Sequence, residues 1–330
     1  MMRAYLAATL CFAAAPAFAG IDKVIEAHVL PGTEAFAEAT TALASAATDD
    51  CTAQNLRDPY HTAFDSWLGI SHLRLGPIEE EGRGLAISFW PDTRGLVGRT
   101  VAGLVADEDP VVESPEAFAE VSIAGRGLLA LERLLFEDDL AGYPADSYAC
   151  AFAQAIAGDL ARMAGEIDRE WHDSFAATLR SAGDGDNNFF LSEREAAQAL
   201  YTALATGLGF VADQRSGRPM GTFEAPKPLV AEARRSGRSL RNVVMSLEAL
   251  RELAQTLADH PIPETEAAFA AALERAEQLD DPVFAGVASP SGRLRVEALQ
   301  TLVSEIGSAV AKEIAPELGV SVGFNSADGD

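Results

Sequence analysis

The chain has 330 residues, of which 48% are hydrophobic and 23% are charged, so it can bury one large core or two of ordinary size. Its 50 acidic residues outnumber its 25 basic ones, which gives a formal net charge of −25. Such a surface repels nucleic acid and anionic lipid, so we exclude both as expected partners. It attracts cations or small ligands, or it serves solubility alone.

The first 19 residues predict an export signal. Arg3 gives a positive start, residues 4–15 are apolar and uncharged, and Ala17-Phe18-Ala19 is a small-x-small cleavage site. The apolar run is too short to span a bilayer, and no later segment has about 20 consecutive apolar residues. We therefore expect cleavage after Ala19 and a soluble periplasmic protein with no membrane span.

Cys51 and Cys150 are the two cysteines left after removal of the signal peptide, which carries Cys11. An even pair in an oxidising compartment predicts a disulfide. By the chain-entropy model a loop of roughly a hundred residues contributes about 4 kcal/mol. Two free or metal-binding thiols are the alternative, disfavoured because neither cysteine has a second ligand at suitable spacing.

The sequence predicts an all-α fold. Alanine and leucine recur at three- and four-residue spacing, and alternating β-branched runs are nearly absent. Breaks are expected at proline and glycine, the first of them at Pro31-Gly32. The expected helices are 22–30, 33–48, 58–75, 96–106, 115–137, 145–181, 192–213, 227–235, 239–259, 263–278 and 291–314.

A polar, glycine-rich turn at residues 183–188 is the expected domain boundary. It divides the mature chain into two helical bundles packed side by side, residues 20–182 and 183–330. The turn also resembles a calcium loop, but Phe189 stands where such a loop needs glycine. Ser192 and Glu195 fit more simply as a capping box for the next helix.

Glu132 is the foremost candidate functional residue. At about 100° per residue, the side chains around its direction on the expected helix are apolar, namely Leu128, Leu129, Leu135 and Phe136. An unpaired carboxylate in such a stripe costs several kcal/mol. It must therefore be protonated, paired with a base or bound to a metal. A structural pair with arginine or histidine is the alternative to a functional role.

A second candidate set lies on the helix expected to begin near residue 58. His61, Asp65 and His72 fall within about 60° of one another at helical spacing. Imidazoles and carboxylates facing Glu132 would hold a divalent cation, so Glu132, His72 and Asp65 are the candidate metal ligands. The alternatives are a hydrogen-bonded core position for His72 and an exposed, idle one for His61.

Trp90 and Asp92 lie in a segment, 89–95, that is dense in aromatic and charged side chains. Such residues favour a buried or ligand-lining position, with core packing and a turn as the alternative. The sequence has no HExxH helix, Gly-x-Ser-x-Gly elbow, phosphate-binding glycine loop or CxxCH motif. No residue is therefore assigned a catalytic role.

Five segments resemble the imelysin family, in the same order along the chain. They are Ser71 to Pro77, Phe89 to Asp92, Gly125 to Glu132, Arg235 to Leu240, and Gly323 to Asp330. The resemblance covers most of the mature chain and implies two helical bundles with a site near their interface. Within these segments Arg74, Trp90, Asp92 and Arg126 are the candidate site-lining residues. We expect the last segment to fold back onto the body of the protein.

Members of the imelysin family are exported bacterial proteins linked to iron acquisition, and the founder was described as a metallopeptidase. The family's Gly-x-His-x-x-Glu motif here has Gly127 and Glu132 but Leu129 at the histidine position. Leucine binds neither metal nor proton, and a zinc peptidase needs about three protein ligands.

We therefore expect a binding or accessory protein in iron or other metal acquisition. Its partners would be a divalent metal, iron or a small ligand, together with other periplasmic iron-uptake components. The alternatives are a metallopeptidase of the imelysin type and a purely structural or interaction protein.

Overall fold

The computed structural model describes residues 18–320 of the protein. The predicted export signal, apart from Phe18 and Ala19, and the segment from Gly323 to Asp330 lie outside the described residues. Between residues 18 and 320 the chain forms helices and short helical turns, with no β-strand, so the predicted all-α fold is confirmed. None of the helices in this range is long and apolar enough to cross a membrane.

The α-helices, in chain order, are α1 Phe18–Val24, α2 Leu30–Asp49, α3 Ala53–Ile70, α4 Arg83–Ile87, α5 Leu96–Asp107, α6 Pro115–Ala119, α7 Gly127–Phe136, α8 Tyr148–Glu170, α9 Ala176–Arg180, α10 Glu193–Gly209, α11 Arg218–Met220, α12 Ser239–Leu257, α13 Pro263–Leu279 and α14 Pro290–Glu313. Three π-helical segments join consecutive helices without a break: Ile25–Val29, Trp171–Phe175 and Phe210–Gly217.

The helices pack in two groups. In the first, α2 lies between α3 and α8, and α7 packs on both α3 and α8. In the second, α12 packs on α10 and α13, and α14 packs on α13, on α10 and on the segment Phe210–Gly217. Helix α12 also contacts α3 and α1, and buried apolar side chains form one cluster through both groups. The division into two domains at residue 183 stays a prediction.

The predicted break at Pro31-Gly32 is wrong. The helical path runs on from α1 through the π-helical segment Ile25–Val29 into α2. In that segment the N–H of Leu30 donates to the carbonyl of Ile25, five residues back, so a wider turn precedes the proline. Gly32 serves packing instead, because a Cβ there would lie 2.6 Å from Cγ2 of Ile70 on α3.

Two predicted helices end or divide earlier than expected. The helix predicted to continue to residue 75 ends at Ile70, and the one predicted over 115–137 is interrupted before Gly127. Gly127 has a φ of +70°, and a Cβ at this position would lie 2.1 Å from the carbonyl oxygen of Ala86. A side chain there would meet backbone, so only glycine lets α7 begin against α4.

The helix predicted over 227–235 is absent from the structure. The chain makes one 3₁₀ turn at Pro228–Val230 and then a loop to residue 238. Ala233 has a φ of +45° and Gly237 a φ of +71°, values that an α-helix cannot contain. A local bond closes this loop, in which the Ser239 hydroxyl donates to the carbonyl of Glu232 (2.6 Å), and tertiary bonds of Ser236 to Glu132 and of Arg215 to Glu232 hold it in place.

Two local predictions are confirmed. Cys51 and Cys150 form a disulfide that ties the chain two residues before α3 to the start of α8, with 5.2 Å between their Cα atoms. Ser192 caps α10, because its hydroxyl accepts from the backbone N–H of Glu195 (3.3 Å). The Glu195 carboxylate in turn accepts from the N–H of Leu191 (2.6 Å), the reciprocal bond of a capping box at the neighbouring residue.

Candidate functional site

Glu132 is buried on α7, with 1% of its surface exposed. Its Oε1 accepts two hydrogen bonds from Ser236 in the loop before α12, from the backbone N–H at 2.9 Å and from the hydroxyl at 2.8 Å. Burial raises the pKa of the Glu132 carboxyl, while the Ser236 bonds and the charges of Arg235 and Arg234 act in the opposite direction. The hydrogen bonds that compensate for the burial of this carboxylate therefore come from a serine, and the two arginines add to them through their charge.

Glu132 lines a cavity of about 230 Å³, which we call the Glu132 cavity. Leu129 lies beside it, one helical turn earlier on α7. The walls come from segment 89–92, the start of α5, α7, Arg218 and the loop 229–235. Three of the lining residues are arginines, namely Arg133, Arg218 and Arg235.

A second cavity, of about 510 Å³, adjoins the first, and we call it the His72 cavity. Trp90 lines both, and its ring meets that of Phe210 edge to face at 5.8 Å between centroids. The buried ion pair between Arg215 and Glu232 (2.6 Å) also lines the His72 cavity. Because Arg215 and Phe210 belong to the π-helical segment, this segment shapes the wall of the cavity.

His72 forms a buried pair with His28, a residue that sequence reasoning missed. Their Nε2 atoms are 2.9 Å apart, and Nδ1 of His28 lies 3.3 Å from a carboxylate oxygen of Glu252 on α12. Burial, followed by the charges of His28 and Arg215, lowers the pKa of His72 well below its usual value. The result is a carboxylate–imidazole–imidazole chain that ends on the His72 cavity.

The structure does not bring the predicted metal ligands Glu132, His72 and Asp65 together. Asp65 accepts from Arg238 (2.6 Å) and Arg241 (2.9 Å), while the other two bond Ser236 and His28. His61 also belongs to the Asp65 cluster, with its Nδ1 3.0 Å from Nη1 of Arg238.

Helix α3 ends at Ile70, so His72 does not lie on the helix face that carries His61 and Asp65. This explains why His72 and Asp65 do not meet. Within residues 18–320 no group of three His, Cys, Asp or Glu side chains is placed to share a metal ion.

The four predicted lining residues have different surroundings. Trp90 and Asp92 line the Glu132 cavity, and the Asp92 carboxylate caps α5 by accepting the N–H groups of Leu96 (2.8 Å) and Val97 (2.9 Å). Arg74 lines the His72 cavity with its guanidinium 5.4 Å from the ring centroid of Phe210.

Arg126 lines neither of these two cavities, and its role as a site-lining residue stays a prediction. It is buried and bonds both carboxylate oxygens of Asp159 on α8, at 2.8 and 3.1 Å. Its bidentate ion pair joins the N-terminus of α7 to α8, and this is a structural role.

The residues that sequence reasoning missed are Ser236, His28 and the three cavity arginines. For Ser236 and Arg235 the available signal was segment 234–238, which holds three arginines in a chain with twice as many acidic as basic residues. No local pattern pointed to His28, because its partner His72 is 44 residues away.

The fold and the site define an all-helical protein, over its described residues, with a buried glutamate beside an arginine-lined internal cavity. The chain belongs to the imelysin family, whose model (imelysin, peptidase M75) matches residues 29–310.

The chain is 25% identical over 288 residues to "Iron-regulated protein A" of Synechococcus elongatus, covering 80% of this chain and 76% of that protein. Its fold is similar to the crystal structure of an imelysin-like protein from Psychrobacter arcticum 273-4, with a TM-score of 0.76 and 20% identity. That match covers 94% of this chain and 99% of the other.

Proposed function

We propose that the protein is a binding protein of iron acquisition that acts outside the cytoplasm and takes its ligand in the Glu132 cavity. Membership of the imelysin family and the name of the cyanobacterial relative support the link to iron. The Cys51–Cys150 disulfide supports an oxidising compartment, because such bonds are rare in reducing ones.

The observation that carries the proposal is the pair Leu129 and Glu132 on one wall of the cavity. The family motif supplies a histidine and a glutamate at these positions, and this chain supplies an apolar side chain and one carboxylate. One carboxylate is too few donors to fix a transition-metal ion, which takes four or more. Iron would therefore enter as cargo that carries further ligands of its own.

The experiment is a titration of the mature protein with ferric iron, alone and with malonate as a small anionic chelator. We expect stoichiometric binding of iron in the presence of malonate, weakened by Glu132→Ala. The matched control is Glu34→Ala, an acidic residue of α2 outside both cavities. Iron binding that is absent under both conditions, or that both variants weaken equally, contradicts the proposal.

A metallopeptidase of the imelysin type is the competing function, and the side chains argue against it. A zinc-activated water needs about three protein ligands, and Leu129 replaces the one that the motif should supply. Incubation with denatured protein, with and without a chelator, separates the two functions. Cleavage that the chelator abolishes would favour the peptidase.

A purely structural or interaction protein is the third possibility. In that case Glu132 and Ser236 only join α7 to the loop before α12, and Glu132→Gln leaves every ligand titration unchanged.

A further inference from the structure

The Glu132 cavity concentrates positive charge in a strongly acidic protein. Arg133 lies on α7, Arg218 on α11 and Arg235 in the loop before α12. Arginines from three separate segments therefore line this cavity. Only 25 of the 330 residues are basic, against 50 that are acidic. Three arginines therefore line one small cavity although the chain as a whole is strongly negative.

Ion pairs within the described residues satisfy these three arginines only in part. Nε of Arg133 (2.7 Å) and Nε of Arg235 (3.2 Å) both approach the same carboxylate oxygen of Glu137. Two cations thus share this carboxylate, and the charges of Glu132 and Asp139 also act on Arg133. The cavity lining also includes the carboxylates of Asp92 and Glu132, and Asp92 accepts from the two N–H groups at the start of α5.

Arg218 has still weaker compensation. Its Nη1 donates to the neutral amide oxygen of Gln214 at 3.4 Å, and its Nε is buried without a hydrogen-bond partner. Within the described residues no carboxylate forms an ion pair with it. A partly buried guanidinium without an ion-pair partner is costly, and a bound anion would reduce that cost.

The packing holds Arg133 and Arg235 near each other. A Cβ on Gly98 would lie 2.6 Å from Nη2 of Arg133, so this glycine of α5 leaves the space that the guanidinium fills. Burial, and next the charge of Arg235, lower the pKa of Arg133. Like charges confined in this way favour a bound anion, because packing already restricts their positions.

We propose that Arg133, Arg218 and Arg235 form a binding site for a small dianion in the Glu132 cavity. The volume of about 230 Å³ lies below that of common ligand pockets, so it selects a compact molecule. The apolar part of the wall, with Trp90 and Leu129, suits a short carbon body between carboxylates. The ligand class is a short dicarboxylate or a phosphate, whose shared feature is two negative charges for planar donors.

The inference rests on the proposed function for its link to iron, because the dianion would be the ligand that the iron carries. The anion site itself requires no metal, and this separates the two tests. Anion binding without iron supports the site even if the iron titration fails. Iron binding in the presence of malonate, with no binding of malonate or phosphate by the metal-free protein, would support the proposed function and contradict this inference.

The experiment is calorimetric titration of the metal-free mature protein with malonate and, separately, with inorganic phosphate. We expect saturable binding of at least one of them, weakened about tenfold or more by Arg218→Gln, which removes charge-assisted hydrogen bonds. The matched control is Arg180→Gln, which makes the same charge change at an exposed pair with Asp22. Preference for malonate identifies the ligand class as a dicarboxylate, and preference for phosphate identifies it as a phosphate.

Gly98→Ala is the second variant, and it changes no charge. The added methyl displaces the Arg133 guanidinium while alanine favours the helix, so the fold is kept and anion binding should weaken. If Arg218→Gln fails to fold, Gly98→Ala still tests whether anion binding depends on the cavity arginines. Wild-type protein that binds neither anion, binding that Arg180→Gln weakens equally, or full binding by Gly98→Ala would overturn the proposal.

Discussion

Oε1 of Glu132 accepts both the backbone N–H and the hydroxyl of Ser236, a residue 104 positions further along the chain. Oε1 is thereby satisfied without a charged partner at hydrogen-bond distance. Through this contact α7 of the first group of helices and the loop before α12 of the second form one wall of the Glu132 cavity.

The Glu132–Ser236 contact should contribute to stability. Ser236→Ala removes the hydroxyl donor from a buried carboxylate but keeps the backbone donor, so we expect the free energy of unfolding to fall by about 1–2 kcal/mol. Urea denaturation measures the loss. The control is Ser174→Ala, whose hydroxyl bonds a carbonyl on an exposed helix turn and whose loss should cost less than about 0.5 kcal/mol. Equal losses in both variants would contradict the expected role of Ser236.

Restoring the family's histidine should create metal affinity in the Glu132 cavity. Leu129→His places an imidazole one turn from Glu132, so two protein ligands would face the cavity where wild type has one. We expect Zn²⁺ to bind about tenfold more tightly or better, measured by competition with a chromophoric chelator. Leu85→His, which adds the same group at an exposed position, is the control. Similar gains from the two variants would mean that the cavity contributes nothing.

Stability should depend on pH through His72. Its pKa is well below the usual value in the folded protein, so below about pH 6.5 the unfolded chain binds a proton that the folded protein does not. The free energy of unfolding therefore decreases as the pH falls from that value towards the folded-state pKa.

The test compares urea denaturation at about pH 7.5 and about pH 5. His72→Gln cannot titrate and should show a smaller difference between the two pH values than wild type. His172→Gln, which replaces a half-exposed histidine of the segment Trp171–Phe175, should keep the wild-type difference. An unchanged difference in His72→Gln would show that other groups cause the pH dependence.

The disulfide should stabilise the fold chiefly by restricting the unfolded chain. Cys51 and Cys150 are 99 residues apart, and closing a loop of this size contributes about 4 kcal/mol by the chain-entropy model. We expect a reductant to lower the denaturation midpoint of wild-type protein. The double variant Cys51→Ser, Cys150→Ser should start at the lowered midpoint and not respond to reductant. A wild-type midpoint that reduction leaves unchanged would contradict this account.

The sequence by itself determined the helical class, most of the long helices, the cap at Ser192 and the pairing of Cys51 with Cys150. These features depend on periodicity, on local capping chemistry and on cysteine number, all of which act over short stretches or through composition. Burial of Glu132 also followed from periodicity, since its neighbours on the helix face are apolar. Even so, local rules failed where packing intervened, as at Gly32, which permits close contact with α3 where a break was predicted.

Only the tertiary structure decided what each candidate side chain meets. Whether His72 faces Asp65 or His28 depended on where α3 ends, and whether Glu132 meets a base or Ser236 depended on a loop over a hundred residues away. The convergence of Arg133, Arg218 and Arg235 likewise joins three segments with no shared local pattern. Such contacts arise from packing between distant elements, because a helix determines the direction of its own side chains and not the identity of their partners.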